Sequence, residues 1–229
     1  MTIRAVSFDL DDTLWPVWPA IVRAEQALQA WLAEHAAPVA DRFPPERMRE
    51  LRPKAGELAA AAGFSHDLAW TRRTQIGLAF AATGHPASED MIATGYQVFE
   101  DARQLVEPYP EVDAVLATIA ARLPLVAVTN GSAEIDRTAL GRHFKGAFSA
   151  TRLGIAKPDA GIFHAACRLV DCQPHEVLHV GDDPHLDIAA ARAAGMPTLW
   201  INRSDKPWPL EGPSGPVAAD LHGVLALLG

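Results

Sequence analysis

Residues 3–14 read Ile3-Arg4-Ala5-Val6-Ser7-Phe8-Asp9-Leu10-Asp11-Asp12-Thr13-Leu14, an apolar run that stops in three carboxylates within four positions. The alternating and β-branched apolar residues predict a short β-strand. A strand that runs straight into carboxylates puts them at the carboxyl edge of a sheet, where open α/β folds bind ligands. Chemistry is expected at that edge.

Working outward, Trp15, Pro16, Trp18 and Pro19 predict a turn, and the following stretch reads as helix after helix, over 20–36, 45–62, 65–83 and 88–105. Pro45 suits a first helical position, Ser65 and Ser88 suit N-caps, and Gly63 and Gly84 suit helix ends. The character changes at Glu107-Pro108-Tyr109-Pro110. Beyond it, apolar runs at 125–128, 147–150, 177–180 and 198–201 predict strands. They alternate with helices over 112–121, 135–142, 159–170 and 187–194. A Pro- and Gly-rich loop over 204–216 precedes a closing helix over 221–228. Continuous apolar runs such as Leu125-Val126-Ala127-Val128 fit strands buried on both faces of a parallel sheet. The expected fold class is therefore α/β, a Rossmann-like parallel-sheet core with helices on both faces and an inserted all-helical cap. The core is expected over 1–15 and 106–229, and the cap over 16–105.

The 229 residues carry 20 basic against 28 acidic side chains, a formal charge of -8. No Lys/Arg-rich run marks a nucleic-acid or anionic-membrane face, so neither is an expected partner. Cys167 and Cys172 lack metal or redox spacing and read as packing residues. No 18-residue apolar run and no leader pattern is present, which predicts a soluble, cytoplasmic protein, monomeric or homodimeric. The net charge repels anions, so an anionic substrate requires local cations.

Four segments end at the same sheet edge: Asp9 and Asp11; Thr129, Asn130 and Gly131; Asp182 and Asp183; and, from a loop, Lys157. Carboxylates distant in sequence can there share a cation, with a hydroxyl donating and a lysine balancing charge. Such a set suits Mg²⁺, a hard ion that keeps waters and meets phosphate oxygens. The expected partner is a small phosphorylated molecule.

These residues resemble the four motifs of the haloacid dehalogenase superfamily of phosphohydrolases. Asp9-Leu10-Asp11-Asp12-Thr13, Val128-Thr129-Asn130-Gly131, Lys157-Pro158 and Gly181-Asp182-Asp183 with Asp187 stand in that order, and the helical insertion is similar to the family's first type of cap. The resemblance implies a phosphatase in which Asp9 is the nucleophile and Asp11 the general acid and then base. It implies Mg²⁺ held by Asp9, the Asp11 carbonyl and Asp182, with Asp187 behind them and Asp183 acting through water. Thr129, Asn130, Gly131 and Lys157 would bind the phosphoryl group. Asp187 has a second reading, as the N-cap of its helix, and both roles can hold together.

From the helical insertion, Arg72 and Arg73 with Trp70 are candidates to reach substrate, against the plainer reading of a solvated helix face. Trp15 and Trp18 are candidates to wall the pocket. Hydrolytic dehalogenation and phosphoryl-group mutation are rivals within the superfamily; the dehalogenase branch lacks the acid two positions after the nucleophile, which Asp11 supplies here. A phosphonate hydrolase has a small residue at that position. A phospho-accepting signalling receiver is shorter and has no helical insertion. Residues 8–14, 125–131 and 179–187 look similar to a bacterial branch acting on FMN and the phosphorylated ribityl-pyrimidine of riboflavin synthesis.

Overall fold

The computed structural model describes residues 2–229. The chain divides into two compact units, one contributed by the chain up to Pro16 and by Glu107–Gly229, the other by Val17–Val106.

The second unit is all-helical: α1 Val17–His35, α2 Ala37–Arg42, α3 Pro45–Glu50, α4 Arg52–Ala61, α5 Leu68–Thr83 and α6 Glu89–Arg103. Its core is the apolar cluster of Leu28, Leu32, Val39, Phe43, Met48, Ile76, Phe80 and Phe99. Two caps are as the sequence predicts. Ser88 accepts from Met91 N–H at 3.1 Å, and Gly84 ends α5 in the left-handed region at φ 67°. Three helical expectations are corrected. The helix expected over 45–62 is two helices, because Pro53 in the first turn of α4 has no N–H to donate and its ring crowds the preceding turn. The cap of α5 is Asp67, accepting from Trp70 N–H at 3.0 Å, rather than Ser65. The short α2, with a proline in its first turn, was not expected.

The α/β unit carries strands β1 Ala5–Phe8, β2 Leu125–Thr129, β3 Phe144–Ser149, β4 Val177–Gly181, β5 Thr198–Ile201 and β6 Val217–Ala218. They form one six-stranded sheet in the order β3-β2-β1-β4-β5-β6, with parallel pairings throughout. Helices α7 Val112–Ala120, α8 Ala150–Leu153, α9 Ala160–Leu169, α10 Ala190–Ala193 and α11 His222–Leu228 complete it. Strands β1, β2 and β4 are buried along their whole length, as their unbroken apolar runs require. On one side of the sheet Val126, Val128 and Val177 pack with Ile162, Phe163 and Ala166 of α9. The order places the topological switch at β1, whose neighbours are β2 and β4, and ligand crevices of open parallel sheets form at such points.

Local departures from expectation lie at the edges. Residues 135–142 form two 3₁₀ turns instead of one helix, β3 begins at Phe144 rather than Ala147, and β6 interrupts the expected end of the loop. The helix expected from Asp187 begins earlier, at Pro184, with a wide first turn; its N-cap is Asp183, whose Oδ1 accepts from His185 and Leu186 N–H, both at 2.8 Å. Asp187 is inside that turn, so its capping role is corrected.

Among the described residues no helix is long and apolar enough to cross a membrane.

Candidate active site

Parallel register brings the ends of β1, β2 and β4 level. Phe8 stands opposite Ala127 on one side and Val180 on the other, and Asp9 N–H donates to Val180 O at 2.9 Å. Asp9 and Asp182 therefore leave neighbouring strand ends side by side. The Thr13 hydroxyl lies between them, 3.4 Å from Asp9 Oδ2 and 3.2 Å from Asp182 Oδ1. One hydroxyl hydrogen cannot serve both acceptors at once. The Asp182 backbone is fixed in turn by the Trp200 indole, which donates to its carbonyl at 2.8 Å.

Lys157 enters from the loop after α8 and reaches Asp9 Oδ1 and Asp187 Oδ1, each at 2.6 Å. Its place is set by Asn130, whose side chain accepts from Lys157 N–H at 2.8 Å and donates to Lys157 O at 2.9 Å. The Asn130 side chain thus binds backbone and builds the site, a contact not anticipated from the sequence. Asp187 uses both oxygens: Oδ2 accepts from Asp183 N–H at 3.0 Å, and Oδ1, already on Lys157, also meets His179 Nε2 at 3.3 Å. His179 Nδ1 lies 2.8 Å from Ser7 Oγ. A serine and a histidine in otherwise apolar, fully buried strands are the sequence signal for this chain of contacts, because buried polar groups must be paired.

Two glycines make room. A Cβ on Gly181 would stand 2.3 Å from Asp187 Cγ, and one on Gly131 would stand 2.4 Å from Asp11 Oδ2. Gly131 N–H donates to Thr129 Oγ1 at 2.9 Å, which turns the chain at the end of β2. Asp11 is held from its other side by Trp15 Nε1, at 2.8 Å from Oδ1.

Electrostatically the cluster is short of positive charge. Burial pushes the Asp9 carboxyl well above the usual carboxylate range; Lys157 opposes this, while Asp187 and Asp182 add to it. Burial, then the charges of Asp187 and Asp12, push Asp182 up to about 7. Burial also acts against ionised Asp187, but Lys157 and His179 outweigh it and hold that carboxyl below its ordinary value. Burial depresses Lys157 less than Asp187 and Asp9 raise it, so the ammonium stays charged. Burial lowers His179, which keeps the ring neutral.

Asp9, Asp182 and Asp187 each offer an oxygen within 4.8 Å of the others. Three carboxylates against one ammonium, all oxygen donors, fit a hard divalent cation such as Mg²⁺. Since both oxygens of Asp187 are already bonded, Asp9 and Asp182 have the freer oxygens. A cleft of about 560 Å³ opens beside Asp182, lined also by Asp12, Tyr109, Trp200, Arg203 and Lys206.

The aromatic and cationic candidates are placed differently from expectation. Trp15 is wholly buried, with its indole N–H on Asp11; Trp18 is 56% exposed on α1, with the Arg49 guanidinium 4.9 Å from its ring. Arg72 is not on a solvated face. It is 8% exposed inside the helical unit, 4.0 Å over the Phe99 ring, and donates to Gln75 Oε1 at 2.9 Å. Burial lowers its guanidinium to about 10. Trp70 stacks on Phe64 with centroids 5.8 Å apart, and Arg73 stands 3.8 Å from Glu89.

Comparison with known proteins gives consistent relatives. A family profile described as haloacid dehalogenase-like hydrolase matches residues 3–195. A 5-amino-6-(5-phospho-D-ribitylamino)uracil phosphatase of Escherichia coli is 30% identical over 201 residues, covering 87% of this chain and 83% of its own. A glyceraldehyde 3-phosphate phosphatase of Methanopyrus kandleri is 29% identical over 88% of this chain and 84% of its own. The crystal structure of a 2-haloacid dehalogenase from Pseudomonas syringae superposes with a TM-score of 0.90 at 34% identity, covering 99% of this chain and 98% of that one.

Proposed function

The chain belongs to the haloacid dehalogenase-like hydrolases, and we propose that within that family it is a Mg²⁺-dependent phosphatase acting on small phosphate monoesters. The observation that carries this reading is the pairing of a nucleophile candidate with an acid candidate: Asp9 stands against Lys157, and Asp11 is held separately by Trp15.

In this reading Asp9 attacks phosphorus, and the bond from phosphorus to the ester oxygen breaks as the bond to Asp9 forms. Asp11 gives its proton to the departing oxygen. It then takes a proton from the water that cleaves the aspartyl-phosphate, which releases inorganic phosphate and restores Asp9. Thr129, with the Asn130 and Gly131 backbone N–H groups, binds phosphoryl oxygens, and Lys157 offsets their charge. Asp9, the Asp11 carbonyl and Asp182 would hold Mg²⁺, with Asp187 positioning Lys157 behind them. When bound, the ion supplies the positive charge that a dianionic substrate needs beside carboxylates. The helical unit, Val17–Val106, serves as the cap that selects the substrate.

Phosphate release from para-nitrophenyl phosphate, present with Mg²⁺ and abolished by chelation, tests the reaction class. A second reading, hydrolytic dehalogenation, is supported by the 34% identical relative from Pseudomonas syringae. It uses the same nucleophile on carbon. Halide release from a 2-haloacid that survives in Asp11→Asn, without phosphate release from any ester, would establish it instead. For the substrate, the relative from Escherichia coli supports a phosphorylated ribityl-pyrimidine, with FMN as the nearest chemical alternative. A panel of phosphorylated metabolites decides: preference for small acids such as phosphoglycolate, with no turnover of either, rejects that branch.

A further inference from the structure

Trp15 is the largest fully buried side chain among the described residues, and a tight turn delivers it to Asp11. Leu14 N–H donates to Leu10 O at 2.8 Å, Asp12 N–H donates to Trp15 O at 2.7 Å, and Asp12 adopts φ 60° between them. The indole Nε1–H then donates to Asp11 Oδ1 at 2.8 Å. Asp11 Oδ2 faces another way, toward the end of β2. The position that a Gly131 Cβ would occupy is 2.4 Å from this oxygen and 3.2 Å from Thr129 Oγ1.

We propose that Trp15 is a positioning residue that orients the Asp11 carboxyl for proton transfer. An indole N–H donates and cannot accept, so Oδ1 serves as the acceptor whether the carboxyl is protonated or not. In phosphoryl transfer the proton passes from the Asp11 carboxyl to the ester oxygen as that oxygen leaves phosphorus; in the hydrolytic half Asp11 takes a proton back from water. Packing alone needs no N–H at this position. Acting through Asp11 does.

This inference rests on the phosphatase reading, and leaving groups separate the two. An aryl phosphate with an acidic leaving group departs with little help from an acid, whereas an alkyl phosphate needs one. In Trp15→Phe, kcat/KM for glycerol phosphate is expected to fall about tenfold or more, and that for para-nitrophenyl phosphate by no more than about twofold. Because Phe leaves a buried space, circular dichroism and thermal melting accompany the kinetics. A double-mutant cycle with Asp11→Asn controls for any general loosening. If Trp15 acts through Asp11, adding Trp15→Phe to Asp11→Asn costs nothing further on glycerol phosphate. Equal losses on both esters, or fully additive losses in the cycle, overturn the proposal. If Asp11→Asn itself fails to separate the two esters, the general-acid reading fails with it.

Discussion

Both units bury charge, and they do so in opposite ways. In the helical unit three of the buried charges have a polar or aromatic partner beside them: Glu25 with Arg49 at 2.5 Å, Glu100 with Tyr96 at 3.2 Å and with Gln104, Arg72 with Gln75 and the face of Phe99. At the sheet edge, Asp9, Asp182 and Asp187 crowd around one ammonium, and the carboxyl pKa values of Asp9 and Asp182 are driven upward. A cluster that satisfies itself stabilises a fold, while one left with excess charge of a single sign is set up for a ligand of the other sign. This contrast is what distinguishes a site from a polar core.

Removing Asp9 should have the largest effect. Asp9→Asn is expected to lower turnover by about a thousandfold or more while the circular dichroism spectrum is retained. Near-normal phosphate release would remove Asp9 from the reaction.

Removing the cation from each region comes next. Lys157→Met leaves two buried carboxylates without their ammonium, so urea denaturation is expected to show a loss of about 3–5 kcal/mol, together with loss of turnover. Arg49→Met, whose partner Glu25 is also buried, is expected to lose stability and keep its turnover per folded molecule. If both variants lose activity equally, the two regions do not differ in kind.

Crowding without charge is a third test. Gly181→Ala drives a methyl into Asp187 and is expected to cost about 1–3 kcal/mol and to weaken Mg²⁺ binding as Asp187 and Lys157 shift.

The pH dependence is smaller and has a definite sign. An unfolded aspartate titrates near 3.9. In the metal-free folded protein Asp182 is pushed up to about 7 by burial and its acidic neighbours. Between those values the folded state holds the extra proton, so the contribution of Asp182 to stability falls as pH rises from about 4 to about 7. Mg²⁺ competes for the same carboxylate, so its affinity is expected to rise by up to about tenfold per pH unit over that range and then level off. Thermal melts with and without Mg²⁺ across pH 4–9 would show the two slopes with opposite sign; a metal-induced stabilisation that does not vary with pH would contradict this.

The smallest effect is expected from Arg72→Met. Loss of the stacked guanidinium should lower stability by about 1–2 kcal/mol and leave turnover within about twofold. A large rise in KM in a variant that still folds would instead make Arg72 a substrate contact.

Five of the six strands, the alternation after residue 107 and the positions of the acidic residues at strand ends were legible because they rest on short-range patterns: β-branched runs, punctuation by Gly and Pro, and carboxylates that cannot continue a buried strand; the two-residue β6 has no such run. Ser88 and Gly84 as caps follow from the same local chemistry. Ser65 did not cap because Asp67 is closer to the first turn and its carboxylate is the stronger acceptor. The break before α4 was written in Pro53, and the apolar spacing across 45–62 masked it.

What the amino-acid sequence by itself determined is which residue types stand at the edge of the sheet, since covalent neighbours and periodicity carry that information. Only the tertiary structure decided how they share the work. Asp187 is fully bonded, Asn130 clamps the Lys157 backbone, Thr13 bridges Asp9 and Asp182, and Trp15 lies buried on Asp11. Those of Asn130 with Lys157 and of Thr13 with Asp182 join segments 27 and 169 residues apart, and Lys157 reaches Asp9 across 148. Their geometry is set by strand register and by the glycines that make room, and such distances have no local signature to read.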